Sequence, residues 1–335
     1  MKEIFESTLD KLLSDHVSPE LLSDSEEQGW ISSLWSLLEE SGFALAAVPE
    51  QHGGAGASWE ELCGVIQLCG QHALPLPLPE AILANWLLGV SGIDGLSGPL
   101  SFSAQNDLKW HGDRLFGTAF QVPWGRYVEK IVAIVDSKTP TVVVLAAADI
   151  SQRAESTNLA GEARDDLTFK DYEPLFSASL SSSLDSDALL RGGAMLRSAQ
   201  IAGALESVLS ASAQYTNDRI QFGKPIGKFQ AVQHQLAVVA EHVAAARVAS
   251  QAAFAESVDS LAILPVMAAK ISASEAASVG ASSGHGVHGA IGFTLEYNLH
   301  PLTRRLWAWR SEYGSATYWS SLLGQSVCAA GSNGF

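Results

Sequence analysis

Apolar residues in the first hundred positions recur at helical spacing. Phe5, Leu9, Leu12 and Leu13 mark one helical face, and Trp30, Leu34, Leu37 and Leu38 mark another, with Glu39 and Glu40 on its polar side. Gly42 predicts the end of that helix, because glycine enters the left-handed conformation at low cost. A further helix is predicted from near Ser58, with Glu60 and Glu61 in its first turn, where acids suit the positive end of the dipole. The pattern changes near Gly98. Leu100, Phe102, Leu108, Trp110, Leu115 and Phe116 fall in short runs split by Gly112, Asp113 and Gly117. Ile131–Val135 and Thr141–Leu145 are rich in β-branched residues and predict strands, as does the short run Leu167–Phe169. A Ser-rich stretch, Ser177 to Ser183, reads as a link. From Asp185 to about Ser283, Ala, Leu, Ser and Val dominate, with breakers at Gly223–Gly227 and Pro265. This predicts long Ala-rich helices packed closely. Helix, then strand, then helix, without alternation, predicts an α+β fold. The boundaries are a helical N-terminal domain over 1–98, a small, shortened β domain over 99–182 and a C-terminal helical bundle over 183–335. Leu and Val on more than one side of the helices in 198–282 predict an oligomer.

Composition narrows the function. Hydrophobic residues make up 47% of the 335 and charged residues 17%, which is globular. Lys and Arg total 20 against 36 Asp and Glu, a net charge of −16. That excludes a nucleic-acid partner, which selects basic surfaces to neutralise phosphate. Neither Lys nor Arg occurs between Lys11 and Lys109. The three cysteines, Cys63, Cys69 and Cys328, exclude a disulfide scaffold and a four-cysteine zinc site. The longest apolar run, Ala73–Val90, is broken by Pro75, Pro77, Pro79 and Glu80, so no membrane insertion is expected. Residues 1–10 carry acids and no apolar core of a signal peptide, which points to the cytoplasm.

Several patterns fail as chemistry. Gly284-His285-Gly286-Val287-His288-Gly289 spells a dinucleotide motif, but an Ala/Ser helix precedes it where a strand is required. It reads instead as a glycine-rich connection. His285 and His288 lack a zincin glutamate or nearby cysteines, so no metal is assigned. The stretch Asp218 to Ala237 carries more. It breaks two long helices with a polar turn and brings Arg219, Lys224 and Lys228 together in an acidic chain. Arg presents a planar fork to phosphate, a helix beginning near Lys228 exposes free N–H groups, and Phe222 can lie against a flat ring.

The spelling of that stretch, Arg219-Ile220-Gln221-Phe222-Gly223-Lys224-Pro225-Ile226-Gly227-Lys228-Phe229-Gln230, resembles the signature of the acyl-CoA dehydrogenase family. Three other stretches agree in order. Val48 to Gly56 looks like the family's Pro-Glu-x-x-Gly-Gly-x-Gly, Asp165–Phe169 resembles the end of its β domain, and His288–His300 with Arg304-Arg305 is similar to its C-terminal element. The resemblance spans nearly the whole chain. It implies a helical N-domain, a β middle domain and a C-terminal four-helix bundle, with FAD, acyl-CoA substrates and assembly as dimers of dimers. It also implies that Arg219 reaches the pyrophosphate of FAD in a neighbouring subunit, with Gln221, Phe222, Gln230 and Gly289 as further cofactor contacts.

Departures from the family pattern are as informative. The family's Thr-Glu-Pro-x-x-Gly-Ser-Asp loop beside the flavin is missing where this chain reads Gly98 to Ser103. A flavin-touching glutamine falls on Gly286, and a glycine of that turn on Ala290. The usual catalytic Glu falls on Tyr313, with Glu312 one place away, about 100° round a helix. The alternative position for the base falls near Gly193. A tyrosine of ordinary pKa about 10 is a poor base for an α-proton at pH 7. The chain is similar to the degenerate subunit of the heteromeric α2β2 acyl-CoA dehydrogenases of bacterial steroid side-chain breakdown. The expected function is that of a subunit for α,β-dehydrogenation of an acyl-CoA in lipid or steroid catabolism, supplying FAD contacts in trans to a homologous catalytic partner. The alternatives are a self-sufficient homotetramer with an unusual base, and a non-redox binding or scaffold protein.

Overall fold

The computed structural model describes residues 2–258, 260–294 and 297–331. Glu296, part of the C-terminal element matched by sequence, lies outside the described residues.

The N-terminal third is helical: α1 (Lys2–His16), α2 (Pro19–Gln28), α3 (Ser32–Glu40), α4 (Trp59–Gln71) and α5 (Leu78–Val90). Local chemistry sets the ends. Gly42 follows α3 with φ 75°. Ser58 and Glu61 form a reciprocal capping box at the start of α4, satisfying two N–H groups that the first turn leaves free. Every residue of α5 from Leu78 to Gly89 is buried, so the Pro-flanked apolar run is the central helix of the core.

Strands follow: β1 (Leu100–Ser103), β2 (Gln105–Asn106), β3 (Lys109–His111), β4 (Arg114–Pro123), β5 (Lys130–Val135), β6 (Thr141–Ala146), β7 (Gln152–Ala154), β8 (Arg164–Tyr172) and β9 (Phe176–Ser179). One sheet has the order β1-β5-β6-β9, with β1 and β5 parallel, and the other has β2-β4-β8-β7, with β3 on β4. The apolar run of β5 has both faces covered. Ile131, Ala133 and Val135 point into the space between the sheets with Leu167 and Phe169, while Val132 and Ile134 join the helical core. The Ser-rich link is shorter than its composition suggests. Ser177–Ser179 pairs with Thr141–Val143 as an edge strand, because ladder bonds to β6 override the weak strand preference of serine.

The last part comprises α6 (Ala188–Asp218), a two-stranded hairpin of β10 (Ile220–Gln221) and β11 (Lys224–Pro225), then α7 (Gln230–Glu256), α8 (Ile263–His288), α9 (Leu299–Trp309) and α10 (Ala316–Ala330). Pro265 sits in the first turn of α8, where its missing N–H has no helical partner to lose. Gly284–His288 is the helical end of α8 rather than a loop. Gly284 serves packing, since a Cβ there would lie 3.0 Å from Val208 of α6, whereas Gly286 meets open space. The helix stops at Gly289, whose φ of 65° and ψ of −145° favour glycine. No described helix is long and apolar enough to cross a membrane.

Candidate active site

Two regions carry the residues singled out by sequence. The first is the turn between α6 and α7. Phe222 and Gly223 both take positive φ, 51° and 76°, the requirement of a tight hairpin whose twist matches its strands. Gln221 pairs with Lys224, and the Ile226 N–H donates to the Arg219 carbonyl at 2.8 Å. This geometry pushes the tip outward, and Phe222 is 92% exposed. Lys224 Nζ lies 4.4 Å over the Phe229 ring. The side chains of Arg219 and Lys228 make no hydrogen bond or ion pair with any described residue. α7 begins at Gln230 without a side-chain cap, so N–H groups of its first turn remain free. Gly289 lies at the same end of the bundle, because Tyr215 of α6 stacks on His288 of α8 with centroids 4.6 Å apart. Free cations beside an uncapped helix start fit a phosphate group.

The second region is a cleft of about 260 Å³ between the sheets and the segment Ser311–Gly314, lined by Gln105, Gln121 and Tyr313 among others. A single residue, Ala104, separates β1 from β2, so no flavin-covering loop leaves this edge. Tyr313 has φ 54°, a conformation costly for a bulky residue, and stacks on Phe102 at 5.5 Å. A Cβ placed on Gly193 would lie 2.5 Å from the Tyr313 ring. Gly193 and Tyr313 are therefore packed against each other, one as a glycine and the other as the ring that needs it. Burial pushes the Tyr313 phenol well above its ordinary range, and its hydroxyl has no partner.

Glu312 is no freer. Arg164 Nε and Nη2 donate to its two oxygens at 3.0 and 3.1 Å, Arg197 Nε donates at 2.8 Å and Asn158 Nδ2 at 2.7 Å. Burial alone would raise its pKa, but Arg164 and Arg197 outweigh burial and hold the carboxyl well below the usual carboxylate range. The network continues inward. Arg197 pairs with Glu80 of α5 at 2.7 Å, Arg164 with Glu162 at 2.9 Å, and Arg305 of α9 with Glu162 at 3.1 Å. Sequence reading missed these partners. The available signal was Glu80 and Arg197 standing as isolated charges in long apolar runs. Among the described residues the cleft lining offers no unpaired carboxylate and no long loop between β1 and β2, so it does not fit a complete flavin–substrate centre.

Comparison with known proteins agrees with this architecture. Residues 187–317 match the acyl-CoA dehydrogenase C-terminal domain. The acyl-CoA dehydrogenase IpdE2 of Mycobacterium tuberculosis is 28% identical over 310 residues, covering 91% of this chain and 90% of the relative. FadE27 of the same organism is 28% identical, with 83% of each chain covered. Among solved structures, the ChsE4-ChsE5 complex from M. tuberculosis superposes with a TM-score of 0.86 at 24% identity, covering 98% of this chain and 97% of that one. A Tcur3481-Tcur3483 steroid acyl-CoA dehydrogenase variant superposes with a TM-score of 0.87 at 23% identity, each chain 98% covered. The whole chain has the fold of these two complexes. Its C-terminal part, residues 187–317, is an acyl-CoA dehydrogenase C-terminal domain.

Proposed function

We propose that this chain is the non-catalytic member of a mixed α2β2 acyl-CoA dehydrogenase, lending contacts to an FAD held largely by a homologous partner. One observation carries the reading. Gly193 packs on the Tyr313 ring, with neither offering a carboxylate where the family resemblance expects a base, while Arg219 and Lys228 stand outside with no partner among the described residues. A bound FAD would supply the hydride acceptor for α,β-dehydrogenation of the acyl-CoA, and the partner subunit would supply the base for the α-proton. This chain's own residues bind and orient. Arg219 and Lys228 would hold the pyrophosphate with the free N–H groups of Gln230 and Ala231 at the start of α7, Phe222 would cover a flat ring, and Gln221 and Gln230 would offer amides. Gly289 lets backbone approach closely. The likeness to the acyl-CoA dehydrogenase IpdE2, to the ChsE4-ChsE5 complex and to the Tcur3481-Tcur3483 steroid acyl-CoA dehydrogenase supports this reading and its extension to lipid or steroid acyl-CoA. Visible flavin absorbance of the chain purified alone, and again with its partner, tests it. A stoichiometric flavin that supports turnover by the chain alone supports the homotetramer instead. No flavin in either preparation supports a scaffold.

A further inference from the structure

Lys270 of α8 is fully buried, and no described carboxylate lies within ion-pair distance of it. Its Nζ donates to the carbonyls of Trp309 and Arg310 at 3.0 and 2.9 Å and meets the Ser274 hydroxyl at 3.2 Å. Those carbonyls are the end of α9 and the root of the Ser311–Gly314 wall of the cleft. Two charges act on the ammonium: Glu312 on that wall favours it and Arg197 of α6 disfavours it. Arg310 turns its guanidinium away to Ser278 at 2.7 Å and to the Trp307 ring. Nothing close by neutralises the charged form. The Ser274 hydroxyl itself donates to the Arg310 carbonyl at 3.0 Å, so Nζ faces three neutral acceptors and an ammonium here is carried into the core without a counter-ion.

We propose that Lys270 is a proton-controlled latch on the cleft wall: proton uptake favours opening of the α9 end and Ser311–Gly314, and proton loss closes them. Burial, the dominant cause, lowers the Lys270 pKa to about 7 in the closed form. An opened, hydrated amine returns to about 10.4. Between those values the open form binds more protons, so opening becomes rarer as pH rises, by up to about tenfold per pH unit. The latch is internal to this chain and holds whether or not the proposed partner exists.

Hydrogen exchange of the segment 306–319 in the full-length chain tests this, with rates corrected for the intrinsic pH dependence of exchange. The opening constant of the wild type should fall about tenfold or more between about pH 7 and pH 8.5. Lys270→Met should show no such fall, and α1–α4 should show none in either protein. A pH-independent opening constant in the wild type overturns the proposal, and so does an unchanged pH dependence in Lys270→Met. If the variant does not fold, the wild-type series decides.

Discussion

Glu312 shows what a single residue's neighbours decide. By sequence it stands beside the family's catalytic position and reads as a candidate base. In the structure Arg164 and Arg197, 148 and 115 positions away, consume both of its oxygens. Contacts at such separation leave no trace in local spacing, which is why the candidate was legible and its engagement was not. Glu312→Gln leaves the buried network of Arg164, Arg197 and Arg305 with Glu80 and Glu162 one carboxylate short and should cost about 3–5 kcal/mol of stability at pH 7 in urea unfolding. The sign with pH follows from the depressed carboxyl. Its contribution is present above the ordinary carboxylate range and is lost as pH falls through the folded-state value, so the gap between wild type and variant should narrow below about pH 4. Arg219 behaves oppositely. Its free, exposed side chain predicts an Arg219→Ala protein of unchanged stability. Flavin retention by the assembled pair should weaken about 10- to 100-fold, the worth of one charge-assisted contact of about 1.5–3 kcal/mol. Equilibrium dialysis with FAD reads this directly.

At the level of elements, caps and turns were legible because their chemistry is local. Ser58 with Glu61, Gly42 after α3 and the break at Gly223 all act where the sequence places them. Tertiary packing overrode composition elsewhere. The edge strand Phe176–Ser179 is held by β6, and the glycine-rich end of α8 stays helical because glycine lets helices touch. The crossing of α4 and α6 is the strongest case. A Cβ on Gly70 would overlap the backbone of Gln200, and one on Gly203 would overlap the backbone of Gln67. Each helix thus contributes a glycine to the other's main chain, and no side chain can move aside to relieve a clash. Gly203→Ala should therefore cost more than the usual overpacking penalty of about 1–3 kcal/mol, or prevent folding, whereas Gly324→Ala, which meets open space, should be neutral or stabilising. Thermal unfolding followed by circular dichroism distinguishes the pair.

For the molecule as a whole, one apolar core runs from α1 through α5 to α6 and α8 and includes Phe102 and Val132, so the helical layers and the first sheet form a continuous body. Exposed apolar residues concentrate elsewhere, with Ile220, Phe222, Val238 and Val248 on the hairpin and α7. Those faces predict an oligomer at micromolar concentration, which light scattering checks, with the acidic N-terminal helices outside its centre because like charges repel. The order of helical and β segments was legible from periodicity alone. The division of labour between cleft and hairpin became physical only when Tyr313 was found on Gly193 and Glu312 between two arginines. The central claim is that this chain lends flavin contacts and performs no proton abstraction of its own. Acyl-CoA-dependent dye reduction by the chain expressed alone and supplied with FAD tests it most directly. The account predicts no turnover alone and turnover once the homologous partner is added. Robust turnover by the chain alone, abolished by Glu312→Gln in a variant that remains folded, would contradict it.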